Sequence, residues 1–139
     1  MATLVDSSVW IDFFNGRSTP AVSYLDRSLG RRSFLVGDLV LAEVLQGFQQ
    51  DREFQKARDA LLRFPIVEIS DQEIALRSAL NYRRLRRLGL TVRGTVDCLI
   101  ATYCIENGCS LLSSDRDFSL FAEHLDLELI DPSLGPREA

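Results

Sequence analysis

Short apolar runs alternate along the chain with longer stretches in which apolar residues recur every three or four positions. Thr3-Leu4-Val5 is the first run, rich in strand formers and stopped by Asp6. Ser7 or Ser8 is placed to cap a helix from Val9 to Phe14, which Asn15-Gly16 closes. Phe34-Leu35-Val36 is a second buried-strand candidate, broken by Gly37-Asp38. Leu39 to Phe48 then reads as a helix with Leu41, Val44, Leu45 and Phe48 along one side. Glu53 to Phe64 continues helical and stops before Pro65. After a short extended piece, Ile66 to Ile69, Ser70 is the expected N-cap of a long helix, with Glu73 completing a capping box. That helix runs from about Asp71 to Leu88 and ends at Gly89. Thr95 is expected to cap a helix from Val96 to Glu106, with Gly108 just beyond it. Ser110 to Ser113 is another apolar strand, Ser114 to Asp117 a polar turn, Leu127 to Ile130 a last strand, and Pro132 to Ala139 a tail.

Strands alternating with helices predict a three-layer α/β/α sandwich around a parallel sheet of four or five strands, covered on both faces. No linker interrupts the 139 residues, so residues 1–139 are read as a single domain. The apolar share of 46% is enough for a core of its own. No basic n-region precedes the first apolar residues, and no apolar run approaches the roughly 20 residues of a membrane span. The expectation is a cytoplasmic protein with no membrane association. Cys98, Cys104 and Cys109 follow neither a C-x-x-C nor a zinc spacing and are read as reduced, buried thiols. The net charge of −4 argues against non-specific coating of nucleic acid, though not against a local basic stripe.

The acids are placed more tellingly than they are counted. In open parallel sheets, function gathers beyond the carboxyl ends of the strands. Asp6 follows the first strand there, and Asp115 and Asp117 follow the strand at Leu111-Leu112. Glu43 lies about a turn into the helix after the second strand, and Asp97 in the first turn of its own helix. All five can point at one spot. Carboxylates gathered this way repel one another, and a divalent cation removes that penalty. Oxygen-only ligands suit Mg²⁺ or Mn²⁺, whose chemistry fits phosphodiester hydrolysis. Each acid taken alone has a plainer reading: a helix cap for Asp97, a solvated helix face for Glu43. The neighbours of Glu43 (Leu39, Leu41, Ala42, Val44, Leu45) are apolar, however, and a charge among them needs a partner or a cleft.

Four segments resemble, in order, the motifs of PIN-domain ribonucleases of the VapC toxin type. They are Leu4-Val-Asp6-Ser-Ser8-Val-Trp-Ile11, Leu41-Ala-Glu43-Val-Leu-Gln-Gly47, Thr95-Val-Asp97-Cys-Leu-Ile-Ala101 and Leu111-Leu-Ser113-Ser-Asp115-Arg-Asp117-Phe118. The resemblance implies a parallel α/β/α fold and a toxin endoribonuclease dependent on Mg²⁺ or Mn²⁺. It also implies a homodimer acting on RNA and inhibited by a cognate VapB-type antitoxin. Asp6, Glu43, Asp97 and Asp115 occupy its acidic-quartet positions, and Asp117 its frequent extra acid. Metal would fall to Asp6, Asp97, Asp115 and Asp117. Ser8 and Ser113 match its small hydroxyl positions, which orient carboxylates or waters. Ser7 and Ser113 stand where Thr is commoner and Cys98 where Ala is usual, and no change removes a ligand.

Between Ile74 and Val96 there is no acid but there are six arginines: Arg77, Arg83, Arg84, Arg86, Arg87 and Arg93. Ile74, Ser78, Tyr82, Leu85 and Leu88 form a core-facing stripe, with the arginines of the second half on the other side. That run is either a solvated helix face or a track for RNA phosphates, with Arg83, Arg84, Arg87 and Arg93 as the candidate contacts. Leu76 and Leu80 lie on the arginine side and are a candidate part of a homodimer contact. His124, the only histidine, has no paired nucleophile motif, and Trp10, Phe13, Phe14, Phe118 and Phe121 read as packing.

Two rival phosphoryl-transfer folds fit poorly. A receiver-like domain would want a lysine near the later strands, and the only lysine is Lys56; a haloacid-dehalogenase-type phosphatase would want Asp-x-Asp where Asp6-Ser7-Ser8 stands. The alternatives that remain are a DNA nuclease on the same scaffold and a PIN-like protein that binds RNA or antitoxin without cutting.

Overall fold

Leu4 and Val5 are fully buried, and the sheet is built outward from them. They belong to β1 (Thr3–Val5), followed by α1 (Ser7–Phe14), α2 (Pro20–Ser28), β2 (Phe34–Gly37), α3 (Asp38–Leu45) and α4 (Asp51–Leu61). Next come β3 (Ile66–Val67), α5 (Gln72–Arg87), α6 (Thr95–Asn107) and β4 (Ser110–Leu112). A 3₁₀ turn at Arg116–Phe118, α7 (Ser119–Leu125) and β5 (Glu128–Leu129) complete the order. The computed structural model describes residues 1–134, so the end of the expected tail, residues 135–139, lies outside the described residues.

The five strands lie in the order β3-β2-β1-β4-β5, and every pairing is parallel. Thr3 pairs with Phe34 on one side and Ser110 on the other, and Val5 pairs with Leu112. β1 and β4 are buried throughout, as expected of strands covered on both faces, whereas β3 and β5 are two residues each and close the edges. From β1 the chain winds one way through β2 and β3, then returns to wind the other way through β4 and β5. The crevice beyond the carboxyl ends of β1 and β4 is therefore the switch point of the sheet, the place where such folds bind ligands. Gly37 lets β2 approach the segment after β3: a Cβ there would sit 2.7 Å from Ile69 Cγ1. Gly108, at φ +65°, turns the chain out of α6 into β4.

The elements match the expected alternation, and the differences have local causes. α2 has no counterpart in the expected pattern; its amphipathic spacing, with Ala21, Val22, Tyr24, Leu25 and Ser28 buried, is diluted by polar residues. Thr19 caps it by accepting from Val22 N at 3.1 Å. Three expected caps are displaced by one residue. Asp6, not Ser7 or Ser8, stands at the N-cap position of α1; Asp71, not Ser70, caps α5 by accepting from Ile74 N at 2.8 Å; and Gly94, not Thr95, precedes α6. The helix expected to reach Phe48 ends at Leu45, and Leu88 is 56% exposed rather than part of the core-facing stripe. Leu88 sits at the C-cap, where the helical spacing that would carry it inward has ended. Trp10, Phe13, Phe14, Phe48 and Phe64 pack ring against ring, with successive centroids 5.3 to 6.0 Å apart, and the three cysteines are free and buried.

Candidate metal centre

Asp6 directly extends β1: its amide donates to Leu112 O at 2.9 Å, continuing the ladder with β4. Its carboxylate is 3% exposed and makes no capping bond to α1. Instead Asp6 Oδ2 accepts from Ser8 Oγ at 2.7 Å and from Ser113 Oγ at 2.9 Å. The same hydroxyls accept from backbone amides, Ser8 from Ser114 N at 3.1 Å and Ser113 from Asp115 N at 2.9 Å. Two serines thus tie the end of β1 to the loop after β4 and fix the direction of one carboxylate.

Asp115 accepts from Asp117 N at 2.9 Å, so it caps the 3₁₀ turn with one oxygen. That turn brings Asp117 back toward α6. Asp97 sits in the first turn of α6, after an N-cap glycine, Gly94, that offers no side-chain cap bond. One carboxylate oxygen from each of Asp97, Asp115 and Asp117 lies within 4.8 Å of the others. Asp6 and Glu43 stand outside this set of mutually close oxygens, yet both act on Asp97 electrostatically.

The electrostatics record the crowding. Burial first, then the carboxylates of Asp6, Asp115, Glu43 and Asp117, lift Asp97 from 3.8 to about 6. Burial also raises Asp6, opposed by the hydroxyls of Ser8 and Ser113. Glu43 is raised by burial and by Asp6, opposed by a hydrogen bond from Ser7. Glu43 is half-buried rather than on a solvated face, and its Oε1 is buried without a partner among the described residues. Ser7 as the contact of Glu43 escaped the sequence reading, which assigned it only a capping role; the Ser7-Ser8 pair directly after Asp6 is the signal that could have found it.

A divalent cation fits this place on two grounds. The three close ligand atoms are all carboxylate oxygens, the donors hard cations prefer. The site also gathers more carboxylates than the one arginine beside Asp117 balances, with one buried acceptor, Glu43 Oε1, unpaired among the described residues.

The arginines divide into three groups. Arg77 is taken by Glu73 at 3.2 Å and Glu106 at 3.3 Å and belongs to the packing of α5 on α6. Arg93, on the loop before α6, reaches the site itself, with Nε 3.5 Å from Asp117 Oδ2. Arg83, Arg84, Arg86 and Arg87 are exposed along α5, and the Arg86 guanidinium lies 5.6 Å from the ring centroid of Tyr82. Leu76 and Leu80 are 61% and 60% exposed on the same helix.

Known proteins share this fold. Ribonuclease VapC11 of Mycobacterium tuberculosis is 29% identical over 128 residues, covering 90% of this chain and 95% of the relative. The structure of VapBC2 from Rickettsia felis, bound to a DNA fragment from its promoter, superposes with a TM-score of 0.73 at 20% identity, over 94% of this chain and 98% of that one. VapBC-1 from nontypeable Haemophilus influenzae gives 0.75 at 16% identity, over 96% and 100%. The sequence profile of the PIN domain matches residues 3–124, so this chain belongs to the PIN domain family.

Proposed function

We propose that this PIN-domain protein is a toxin endoribonuclease that hydrolyses RNA phosphodiester bonds with Mg²⁺ or Mn²⁺ held at the β1/β4 switch point. The observation that carries the reading is the meeting of Asp97, Asp115 and Asp117 within 4.8 Å, beside a buried Asp6 held by two serines. A bound divalent cation would supply a Lewis acid that eases deprotonation of water and offsets phosphoryl charge. Asp97, Asp115 and Asp117 would hold it. Asp6, fixed by Ser8 and Ser113, either completes the ligand set or orients a water toward it. Glu43 Oε1, raised in basicity and without a partner, is the atom placed to accept a proton from the attacking water. Arg93 sits beside Asp117, where a phosphate of the substrate would be drawn in.

The likeness to a mycobacterial ribonuclease supports RNA as the substrate, and the VapBC and toxin–antitoxin complexes among the structural neighbours support a VapB-type antitoxin as partner. The whole chain acts on this reading as one cytoplasmic ribonuclease domain. Leu76 and Leu80, exposed a turn apart on α5, support a homodimer built on that helix. The antitoxin would silence the enzyme by placing a basic residue against the acidic centre, which has the charge to receive it.

The test is cleavage of total cellular RNA by purified protein with Mg²⁺, with Mn²⁺ and with chelator, beside Asp97→Asn. Discrete cuts that need metal and fall by about a hundredfold or more in the variant are expected. A variant as active as wild type removes Asp97 from the mechanism. Folded, antitoxin-free protein that cuts no RNA refutes the enzyme.

A further inference from the structure

A cavity of about 430 Å³ lies between α5 and the start of α6, outside the acidic centre. Its size is within the roughly 300–1,000 Å³ of small-ligand pockets. Ala79 and Leu99 give it apolar walls, Thr95 a hydroxyl, and Tyr82, Arg83 and Arg86 a planar, cationic side. The Arg86 guanidinium carbon lies 5.6 Å from the Tyr82 ring centroid, so two flat groups already pair there. Thr95 and Cys98 both line the cavity and bracket Asp97 in sequence, so the cavity and the carboxylate cluster share the first turn of α6.

We propose that this cavity receives an unpaired nucleobase of the RNA strand being cut, next to the scissile phosphodiester; the inference rests on the ribonuclease reading above. A base has two apolar faces and a polar edge, and proteins hold single-stranded RNA by stacking such faces on aromatic rings and guanidinium planes. Its phosphates suit the arginines that rim the cavity on a stretch of chain free of acids from Ile74 to Val96. An apolar segment of another protein suits it less, because covering the cavity would strip water from Arg83 and Arg86 without supplying a countercharge. The pocket then selects for single-stranded sequence at one position beside the cut, while the acids perform the same chemistry on any phosphodiester.

The experiment is fluorescence anisotropy with labelled single-stranded pentaribonucleotides in chelator, so that nothing is cut: the four homopolymers and a pentamer of abasic riboses. Wild type should bind at least one base-bearing pentamer roughly tenfold more tightly than the abasic one. Tyr82→Ala should erase that difference, and Tyr82→Phe, which keeps the ring, should preserve it with an unchanged circular dichroism spectrum. Equal binding of abasic and base-bearing pentamers by wild type overturns the proposal, as does a Tyr82→Ala protein that keeps the full preference. A Tyr82→Ala protein whose oligomeric state changes by sedimentation while its base preference stays overturns it in favour of a contact between copies. Because the readout is binding, protein that cuts no RNA can still show the pocket, and an active nuclease can still lack it.

Discussion

The two ends of the β1/β4 pair are built from the same parts and arrive at opposite electrostatic states. At the amino end, Thr3 and Ser110 face each other at 2.8 Å between hydroxyls, and Arg32 Nε donates to Thr3 Oγ1 at 2.8 Å. At the carboxyl end, Ser8 and Ser113 converge on Asp6. Hydroxyls bridge the strands in both places, around a single cation at one end and around a crowd of anions at the other. Each end also leaves one buried charged-group atom without a partner among the described residues, Arg32 Nη1 and Glu43 Oε1. The difference lies in the neighbours. Among the described residues Arg32 meets neutral oxygens, whereas Glu43 and Asp97 are raised by burial first and then by surrounding carboxylates. The amino end holds the strands together; the carboxyl end is held in a strained electrostatic state that a cation would relieve, a common arrangement at functional sites.

The comparison breaks most readily through metal. Mn²⁺ at a hundred times its Kd should raise the free energy of unfolding by about 2.7 kcal/mol. Replacing both Asp115 and Asp117 by Asn should remove that gain; calorimetry that finds the same gain in the double variant would place the cation elsewhere. Next in size is pH. Asp97 titrates at about 6 in the fold against 3.8 for the ordinary carboxyl, so the folded state binds this proton more tightly than the unfolded chain. Its contribution to stability is complete below the lower value and lost as pH rises through the higher. For metal-free protein the full shift would be worth about 3 kcal/mol, which solvent around this half-exposed carboxyl screens to about 2 kcal/mol or less. Asp97→Asn should therefore flatten the dependence of stability on pH in urea titrations and leave the variant more stable than metal-free wild type at neutral pH. A variant with an identical slope would show that the repulsion is not centred on Asp97. The smallest effect belongs to the amino end. Thr3→Val deprives Arg32 Nε and Ser110 of their partner and should cost about 1–2 kcal/mol. RNA cleavage per folded molecule should not change, and a specific loss of activity would mean that the two ends are coupled.

Much of this was legible in the residues. β1 and β4 read correctly because short apolar runs ending in Asp or Ser have few other ways to pack in an α/β chain. Of the five acids, Asp97, Asp115 and Asp117 meet, and Asp6 and Glu43 lie near enough to raise Asp97, because strand ends and helix starts bring them to one edge. α2 was invisible because its buried positions include Ser28 and its exposed face breaks the apolar period. The caps slipped by one residue because Ser70-Asp71 and Asp6-Ser7 each offer two capping side chains in sequence, and only packing chooses between them. At the site, Asp115 spends one oxygen on a cap and Arg93 reaches Asp117, details that depend on side-chain direction and not on spacing. The fate of Arg77 depended likewise on Glu106, nearly thirty positions away along the chain.

The two-residue strands at either margin of the sheet also govern how copies of this chain can meet. So short a margin exposes too few amide and carbonyl groups to template another molecule's backbone, so one sheet cannot continue into the next. Self-association is left to side chains on helices, where contacts are particular to shape and charge. Copies of this chain can thus meet through shape-specific contacts while the sheet margins offer no backbone route to fibres.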